Sequence, residues 1–172
     1  MTNSVKRMTE LLLPGSMLGV IASFAVGGVA LYGGLPIGYV VVSVLALGIP
    51  LALFGAGYSL LLAQARIRIG GITPAVGYWL IGYTVSRTIY EVVINLYLGS
   101  PSLLSDGVLA FFGFQLLVST GFAVGFMWLH ENIAPMWWVH IRDRNPIAAA
   151  YVAAYTQQAA YTKQSKEQAT RS

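Results

Sequence analysis

Arg87 and Glu91 are ionisable residues inside an otherwise apolar stretch of the sequence, and other polar residues recur around them at helical spacing. At about 100° of rotation per residue, the five polar side chains share an arc of about 100° on one helix face. A charged group in a membrane span costs several kcal/mol unless it is paired or hydrated, so this polar face must contact protein or water. Its members are Thr84, Arg87, Thr88, Glu91 and Asn95.

Three interpretations fit the polar face. In the first, which we favour, Arg87 and Glu91 lie four residues apart and form an internal ion pair that holds the helix against its neighbours. In the second, the same residues form a proton or anion path or a buried ligand site. In the third, they make a lateral contact with a partner protein.

A second group of residues with possible chemistry follows later in the chain: His130, Glu131, His140 and Asp143. These types can ligate a metal or transfer protons. However, no histidine follows His130-Glu131 one helical turn later, so the zinc-protease pattern is missing. The chain has no cysteine, no phosphate-binding glycine loop and no nucleophile elbow. We therefore expect no catalytic residue, no metal site and no cofactor, and we interpret both histidines as interfacial residues. The alternative is that the histidines or a glycine groove contact a pigment or haem held mainly by another subunit.

The composition indicates which elements position these residues. Of 172 residues, 56% are hydrophobic and only 9% are charged, whereas soluble domains average about 25% charged residues. The net charge of +4 does not indicate nucleic-acid binding, because the basic residues flank apolar runs instead of clustering on a soluble face. The sequence predicts an all-α integral membrane protein. Its expected partners are the lipid bilayer and other membrane subunits, with no nucleic acid and no inferable small-molecule substrate.

Four apolar runs reach the roughly 20 residues that a spanning helix needs, and Gly- or Pro-containing breaks separate them. The runs cover residues 11–32, 37–63, 75–98 and 108–129. The first run exceeds the apolar region of about 7–15 residues in a signal peptide, so we expect a retained helix. We predict a four-helix transmembrane domain over residues 1–145, followed by a short cytoplasmic helix and a polar tail over 146–172.

The basic residues predict the orientation of the bundle. Arg87 is the one basic residue inside a span, and the others flank the first run, join the second run to the third or follow the fourth. Basic flanks stay on the cytoplasmic side, so both termini are expected there, in a membrane of the plasma or inner type. The flanking residues are Lys6, Arg7, Arg66, Arg68, Arg142, Arg144, Lys163, Lys166 and Arg171.

Small residues recur at four-residue steps in three of the runs and predict grooves where helix backbones approach closely. We favour the interpretation that the grooves close the bundle itself, and the alternative is that at least one faces another subunit. The groove residues are Gly15, Gly19, Ser23 and Gly27 in the first run, Gly48, Ala52 and Ala56 in the second, and Gly121 and Gly125 in the fourth.

The C-terminal segment begins with Asn145-Pro146, a pair typical of a helix N-cap and first helical position. Tyr151, Tyr155 and Tyr161 then fall on one side of a helix that carries no charge over residues 147–162. A helix lying on a membrane surface normally carries several Lys or Arg residues. We therefore expect this tyrosine stripe to dock on protein.

Helix counting predicts which residues meet across the connection of residues 99–107. Glu91 lies seven residues from Leu98 and Gln115 lies seven residues from Val108, so they should lie at similar depth. Arg87 and Ser119 each lie eleven residues from the same two positions. We expect a buried polar layer in which Gln115 hydrogen-bonds Glu91 and Ser119 lies near Arg87, because unpaired polar groups in hydrocarbon are costly.

These observations favour a non-catalytic integral membrane subunit that packs within a larger membrane protein complex and stabilises it. The alternative is a small oligomeric transporter or channel built around the polar face. A third interpretation, an enzyme acting on lipid, would have to use His130, Glu131 or His140.

Overall fold

The computed structural model describes residues 2–64, 66, 72–104 and 107–171, which contain five helices and no strands. The predicted all-α class is confirmed for these residues, and Arg68 of the predicted cytoplasmic set lies outside them. The helices are α1 (Thr2–Tyr32), α2 (Ile37–Ala63), α3 (Ile72–Tyr97), α4 (Val108–Ile141) and α5 (Pro146–Arg171).

Three helices are long and apolar enough to cross a membrane, in the segments Ser4–Tyr32, Ile37–Ala63 and Val108–Ile141. Among the described residues, α3 does not join this group, because Arg87, Glu91 and Asn95 interrupt its apolar sequence. Its crossing of the membrane stays a prediction. α4 continues past the predicted end at residue 129 to Ile141, although Pro135 lies inside it.

Glycine ends two of the helices where the sequence predicts breaks. Gly34 after α1 has φ +75° and Gly99 after α3 has φ +66°, a left-handed conformation that glycine adopts without strain. Ser100 N–H then donates to Asn95 O at 2.8 Å and closes the end of α3. At the start of α5, Asn145 Oδ1 accepts from Ile147 N at 3.2 Å, as an N-cap side chain does.

Helices α1 to α4 form a closed bundle in which α1 contacts α2 and α4, and α3 contacts the same two helices. α5 packs mainly on α4. Aromatic rings fill the space between α2, α3 and α4: Trp79 stacks on Phe126 at 4.9 Å between centroids, and Tyr83 stacks on Phe122 at 4.3 Å. Trp79 and Tyr58 are fully buried. These contacts fix the rotation of α3, and with it the direction of the polar face.

The first turns of α1 and the corner between α4 and α5 lie at the same end of the bundle. Asn145 Nδ2 donates to Arg7 O at 2.7 Å, and Arg144 Nε lies 3.3 Å from Glu10 Oε1. Both contacts join residues more than 130 positions apart. The bundle therefore returns the chain to the end where it began.

Pro14 explains a further contact at this end. Proline has no backbone N–H, so Pro14 leaves Glu10 O without its donor inside α1. Trp137 Nε1 fills that position from α4, at 2.8 Å from Glu10 O. Trp138 Nε1 lies 3.3 Å from the next carbonyl, Leu11 O. The Trp137 indole thus compensates for the proline, and both indole N–H groups attach α1 to α4.

Candidate functional site

The polar face of α3 meets α4 through a hydrogen bond between Thr84 Oγ1 and Ser119 Oγ at 2.9 Å. Ser119 is fully buried. Thr88 lies one turn further along α3, and its Oγ1 donates to Thr84 O at 2.8 Å. The hydroxyl of Thr88 is thus satisfied within its own helix, whereas Thr84 and Ser119 join the two helices.

Arg87 and Glu91 form an ion pair along α3, with Arg87 Nη2 3.6 Å from Glu91 Oε2. Their side chains are 23% and 19% exposed, so the bundle covers most of both. The Arg87 guanidinium also lies 4.6 Å from the centroid of the Tyr90 ring, a favourable cation–π distance. The pair matches the internal neutralisation that we favour from the sequence.

Asn95 extends this ladder to the end of α3. Its Nδ2 donates to Glu91 Oε1 at 3.3 Å and to Leu103 O at 3.0 Å. The second bond holds the connection between α3 and α4 against the last turn of α3. Arg87, Glu91 and Asn95 are therefore joined in sequence along one side of the helix.

The predicted partners across the connection are displaced by about one helical turn. Ser119 pairs with Thr84 and not with Arg87, which places Gln115 level with Thr88. The hydrogen bond expected between Gln115 and Glu91 stays a prediction. The pairing of Thr84 with Ser119 places Val108, where α4 starts, about level with Asn95, whose Nδ2 bonds to Leu103 O in the connection.

Gln115 faces the inside of the bundle and is 1% exposed. Its Oε1 atom is buried and has no hydrogen-bond partner in the described part of the structure. Trp79 Nε1 is likewise buried and has no hydrogen-bond partner among the described residues. A buried acceptor without a donor is costly in hydrocarbon. Gln115 is therefore the residue of the polar layer whose hydrogen bonding is incomplete.

The predicted grooves of α1 and α2 pack against each other. A Cβ atom added to Gly15 would overlap Gly55 O, and one added to Gly19 would overlap the backbone of Leu51 and Ala52. A Cβ atom added to Gly48 would overlap the Ser23 side chain, and one added to Gly27 would overlap the Val44 side chain. Close backbone contact of this kind requires small residues.

One groove residue differs from the sequence prediction. Gly55 makes the closest approach to α1, whereas Ala56, which the four-step pattern selects, is only half-buried. Each step of four residues turns by about 40° around the helix, so positions 48, 52 and 56 drift away from one face of α2. Gly55 follows Gly48 by seven residues, about two turns, and so returns to the face that contacts α1.

The groove on α4 is open. A Cβ atom added to Gly121 or Gly125 would have nothing within 4 Å, and both glycines are exposed. They line an apolar surface cavity of about 580 Å³ between α1 and α4. Ala22 on α1 and Phe122, Phe126 and Trp128 on α4 form part of its wall. No helix in the described part of the chain fills this groove.

His130 is buried inside the bundle, and its expected position at the membrane interface stays a prediction. Its Nε2 lies 3.0 Å from Ser59 Oγ on α2, and the Tyr58 ring meets it edge-on at 4.7 Å. His140 is exposed, with its ring 6.0 Å from that of Trp137. Spacing does not reveal the pair of Ser59 and His130, because 71 positions separate them.

The tyrosines of α5 have different environments. Tyr151 is 9% exposed and its ring lies 4.2 Å from Trp138, so it packs on α4 of its own chain. Burial raises the pKa of the Tyr151 phenol above its ordinary value. Tyr155 and Tyr161 are 37% and 73% exposed. The expected stripe is therefore divided into one core residue and two accessible ones.

The chain matches no family model, and neither a curated protein nor a solved structure is significantly similar to it. The contacts described above therefore carry the functional argument on their own.

Proposed function

We propose that the protein is a non-catalytic integral membrane subunit that packs within a larger membrane protein complex and stabilises it. The open groove at Gly121 and Gly125 is the observation that carries this proposal. The small residues of α1 and α2 serve contacts within the bundle, whereas those of α4 leave a backbone accessible to another helix. A transmembrane helix of a partner subunit fits such a groove, since close packing drives helix association in lipid.

Four spans, with both termini on the cytoplasmic side, complete the proposal. The contacts of Asn145 with Arg7 and of Arg144 with Glu10 support an even number of crossings, because they hold the start of α1 and the end of α4 at one end of the bundle. The distribution of basic residues supports the cytoplasmic side. Because the chain has no cysteine, single cysteines can be introduced at positions 66 and 172. In intact cells, neither should react with an impermeant maleimide, and labelling of either would contradict this topology.

The accessible part of α5 is a second contact in the proposal. Tyr155 and Tyr161 offer aromatic surface to a partner, while Tyr151 anchors the helix on α4. Replacing Tyr155 and Tyr161 by serine should lower the yield of the complex without changing the stability of the isolated subunit. Unchanged yield would remove α5 from the interface.

Native purification in mild detergent tests the main proposal. We expect at least one other integral membrane protein to co-purify in fixed stoichiometry. The double substitution of Gly121 and Gly125 by leucine should abolish the association, because it fills the groove. Gly28→Leu is the matched control, since a Cβ at Gly28 also has nothing within 4 Å but lies outside the groove. A protein that purifies alone, or a control that behaves like the double variant, would contradict the proposal.

A small oligomeric transporter or channel is the second candidate, and Gln115 favours it. An unsatisfied buried acceptor one turn from the pair of Thr84 and Ser119 is suited to a transient water or ion. In this case the purified protein forms a homo-oligomer. The flux of protons or anions into vesicles that contain it falls when Glu91 is replaced by glutamine. Absence of flux from the wild-type protein in vesicles would exclude it.

A further inference from the structure

A cationic corner forms where α1 begins and α4 ends. Lys6, Arg7, Arg142 and Arg144 meet there because Asn145 holds the Arg7 backbone and Arg144 holds Glu10. All four side chains are exposed. The acidic residues of the corner, Glu10 and Asp143, lie 3.3 and 3.7 Å from Arg144 and Arg142.

Lys6 and Arg7 are the uncompensated cations of this corner. No ion pair involves either of them within the described residues. Since Arg144 and Arg142 already neutralise Glu10 and Asp143, the corner keeps two net positive charges. An anion that approaches it therefore meets free cations, with each nearby carboxylate already engaged.

An apolar cleft begins directly beside the corner. Pro14, Met17 and Ile21 of α1 form one wall, Ile133 and Trp137 of α4 form the other, and the cleft encloses about 80 Å³. Met17 and Ile21 are about half exposed, so the cleft opens sideways along the bundle. The indole of Trp137 lies at its polar end, where its N–H bonds to Glu10 O.

The corner and the cleft share one face of α1. Lys6 precedes Met17 by roughly three helical turns, which returns both side chains to the same side. The long apolar stem of lysine lets its ammonium reach the polar boundary while the stem stays on apolar surface. A molecule with a negative head and an apolar chain can thus contact both features at once.

We propose that this junction is a binding site for an anionic glycerophospholipid, with the phosphate at Lys6 and Arg7 and an acyl chain along the cleft of Met17, Ile21 and Trp137. Lysine and arginine beside a membrane span attract anionic headgroups, and tryptophan prefers the boundary where headgroup meets chain. The site needs both parts, because the charge selects the headgroup and the cleft holds the chain.

Native mass spectrometry of the purified protein with phosphatidylglycerol or phosphatidylcholine tests the headgroup contact. The wild-type protein should retain phosphatidylglycerol in preference to phosphatidylcholine. In the double variant Lys6→Gln, Arg7→Gln, the preference for phosphatidylglycerol over phosphatidylcholine should fall about fivefold for each charge removed. The backbone carbonyl at position 7 keeps its bond to Asn145 in this variant. Arg66→Gln with Arg171→Gln is the control of equal charge, and an equal loss in the control would overturn the proposal.

A second pair of arms tests the cleft and the source of the phosphate. Met17→Trp should displace the chain and reduce retention of phosphatidylglycerol at least fivefold, while thermal unfolding shows that the protein is folded. Glycerophosphoglycerol, which has the headgroup without chains, should not compete at equal concentration. Full retention by the Met17 variant, or effective competition by the free headgroup, would overturn the lipid site and leave only a surface that attracts phosphate.

Discussion

Trp137 on α4 donates its indole N–H to Glu10 O, the carbonyl that Pro14 deprives of a donor in α1, at 2.8 Å. The proline and the tryptophan are therefore a matched pair. Pro14 leaves an acceptor without its helical donor, and the Trp137 N–H satisfies it from another helix. The relationship makes α1 depend on a donor in α4 that lies 127 positions further along the chain than its acceptor.

The first prediction concerns this pair. Trp137→Phe keeps a ring and removes the donor, so it should lower the free energy of unfolding in detergent by about 1–3 kcal/mol. In a Pro14→Ala background, the new amide N–H can donate to Glu10 O. The same Trp137→Phe change should then cost less than half as much. Trp128→Phe is the control, because Trp128 is 64% exposed, and equal costs in both backgrounds would contradict the pairing.

The second prediction concerns the contact between α1 and α2. Gly15→Ala should destabilise the bundle by about 1–3 kcal/mol, because its Cβ overlaps Gly55 O and two backbones must separate. Gly28→Ala lies in the same helix, where a Cβ meets nothing within 4 Å. It should be neutral or slightly stabilising, because alanine favours helix more than glycine does. Thermal unfolding in one detergent compares the two, and equal stability would show that the helices do not touch there.

The third prediction uses the absence of native cysteine to test the register of α3 against α4. Cysteines at positions 84 and 119 should form a disulfide on mild oxidation, because the native oxygens lie 2.9 Å apart. Cysteines at positions 87 and 119, the pair that helix counting selects, should cross-link more slowly. Mobility shifts in non-reducing gels report both. A faster reaction of the 87 and 119 pair would restore the register expected from the sequence.

The fourth prediction separates structure from transport at the ion pair. Arg87→Leu alone leaves the Glu91 carboxylate without its cation and should cost about 3 kcal/mol of stability. Adding Glu91→Leu should recover most of that loss. Stability of the double variant at or below that of Arg87→Leu would show that the residues do not act as a pair. If the double variant regains stability but no longer supports flux into vesicles, that result would instead favour the transporter candidate.

Much of the architecture follows from the sequence, because Gly and Pro mark the breaks and the apolar runs mark the helices. Gly34 and Gly99 end α1 and α3 near the predicted boundaries. The position of Arg87 and Glu91 on one face also follows from helical periodicity alone. Helical periodicity relates residues of the same helix to each other. It therefore supports only those predictions that concern a single helix.

Relations between helices are harder to predict. The pairing of Ser119 with Thr84 is accompanied by the bond of Asn95 to Leu103, an interaction of the connection that residue counting does not include. The use of Gly55 in place of Ala56 depends on which face of α2 meets α1, which four-residue spacing does not define. The bond between Ser59 and His130 joins distant positions through a fold that must already exist. None of these leaves a repeating signal in the sequence.

Photo-cross-linking from the open groove of α4 tests the central claim most directly. A photoreactive residue at position 125 in living cells should give one discrete adduct with a different membrane protein. The same residue at position 24, where Phe24 is 64% exposed on α1 outside the groove, should give only diffuse lipid adducts. If the protein is a subunit of a larger complex, the photoreactive residue at position 125 should give the discrete adduct. No protein adduct there, or an adduct only with a second copy of this chain, would contradict the account.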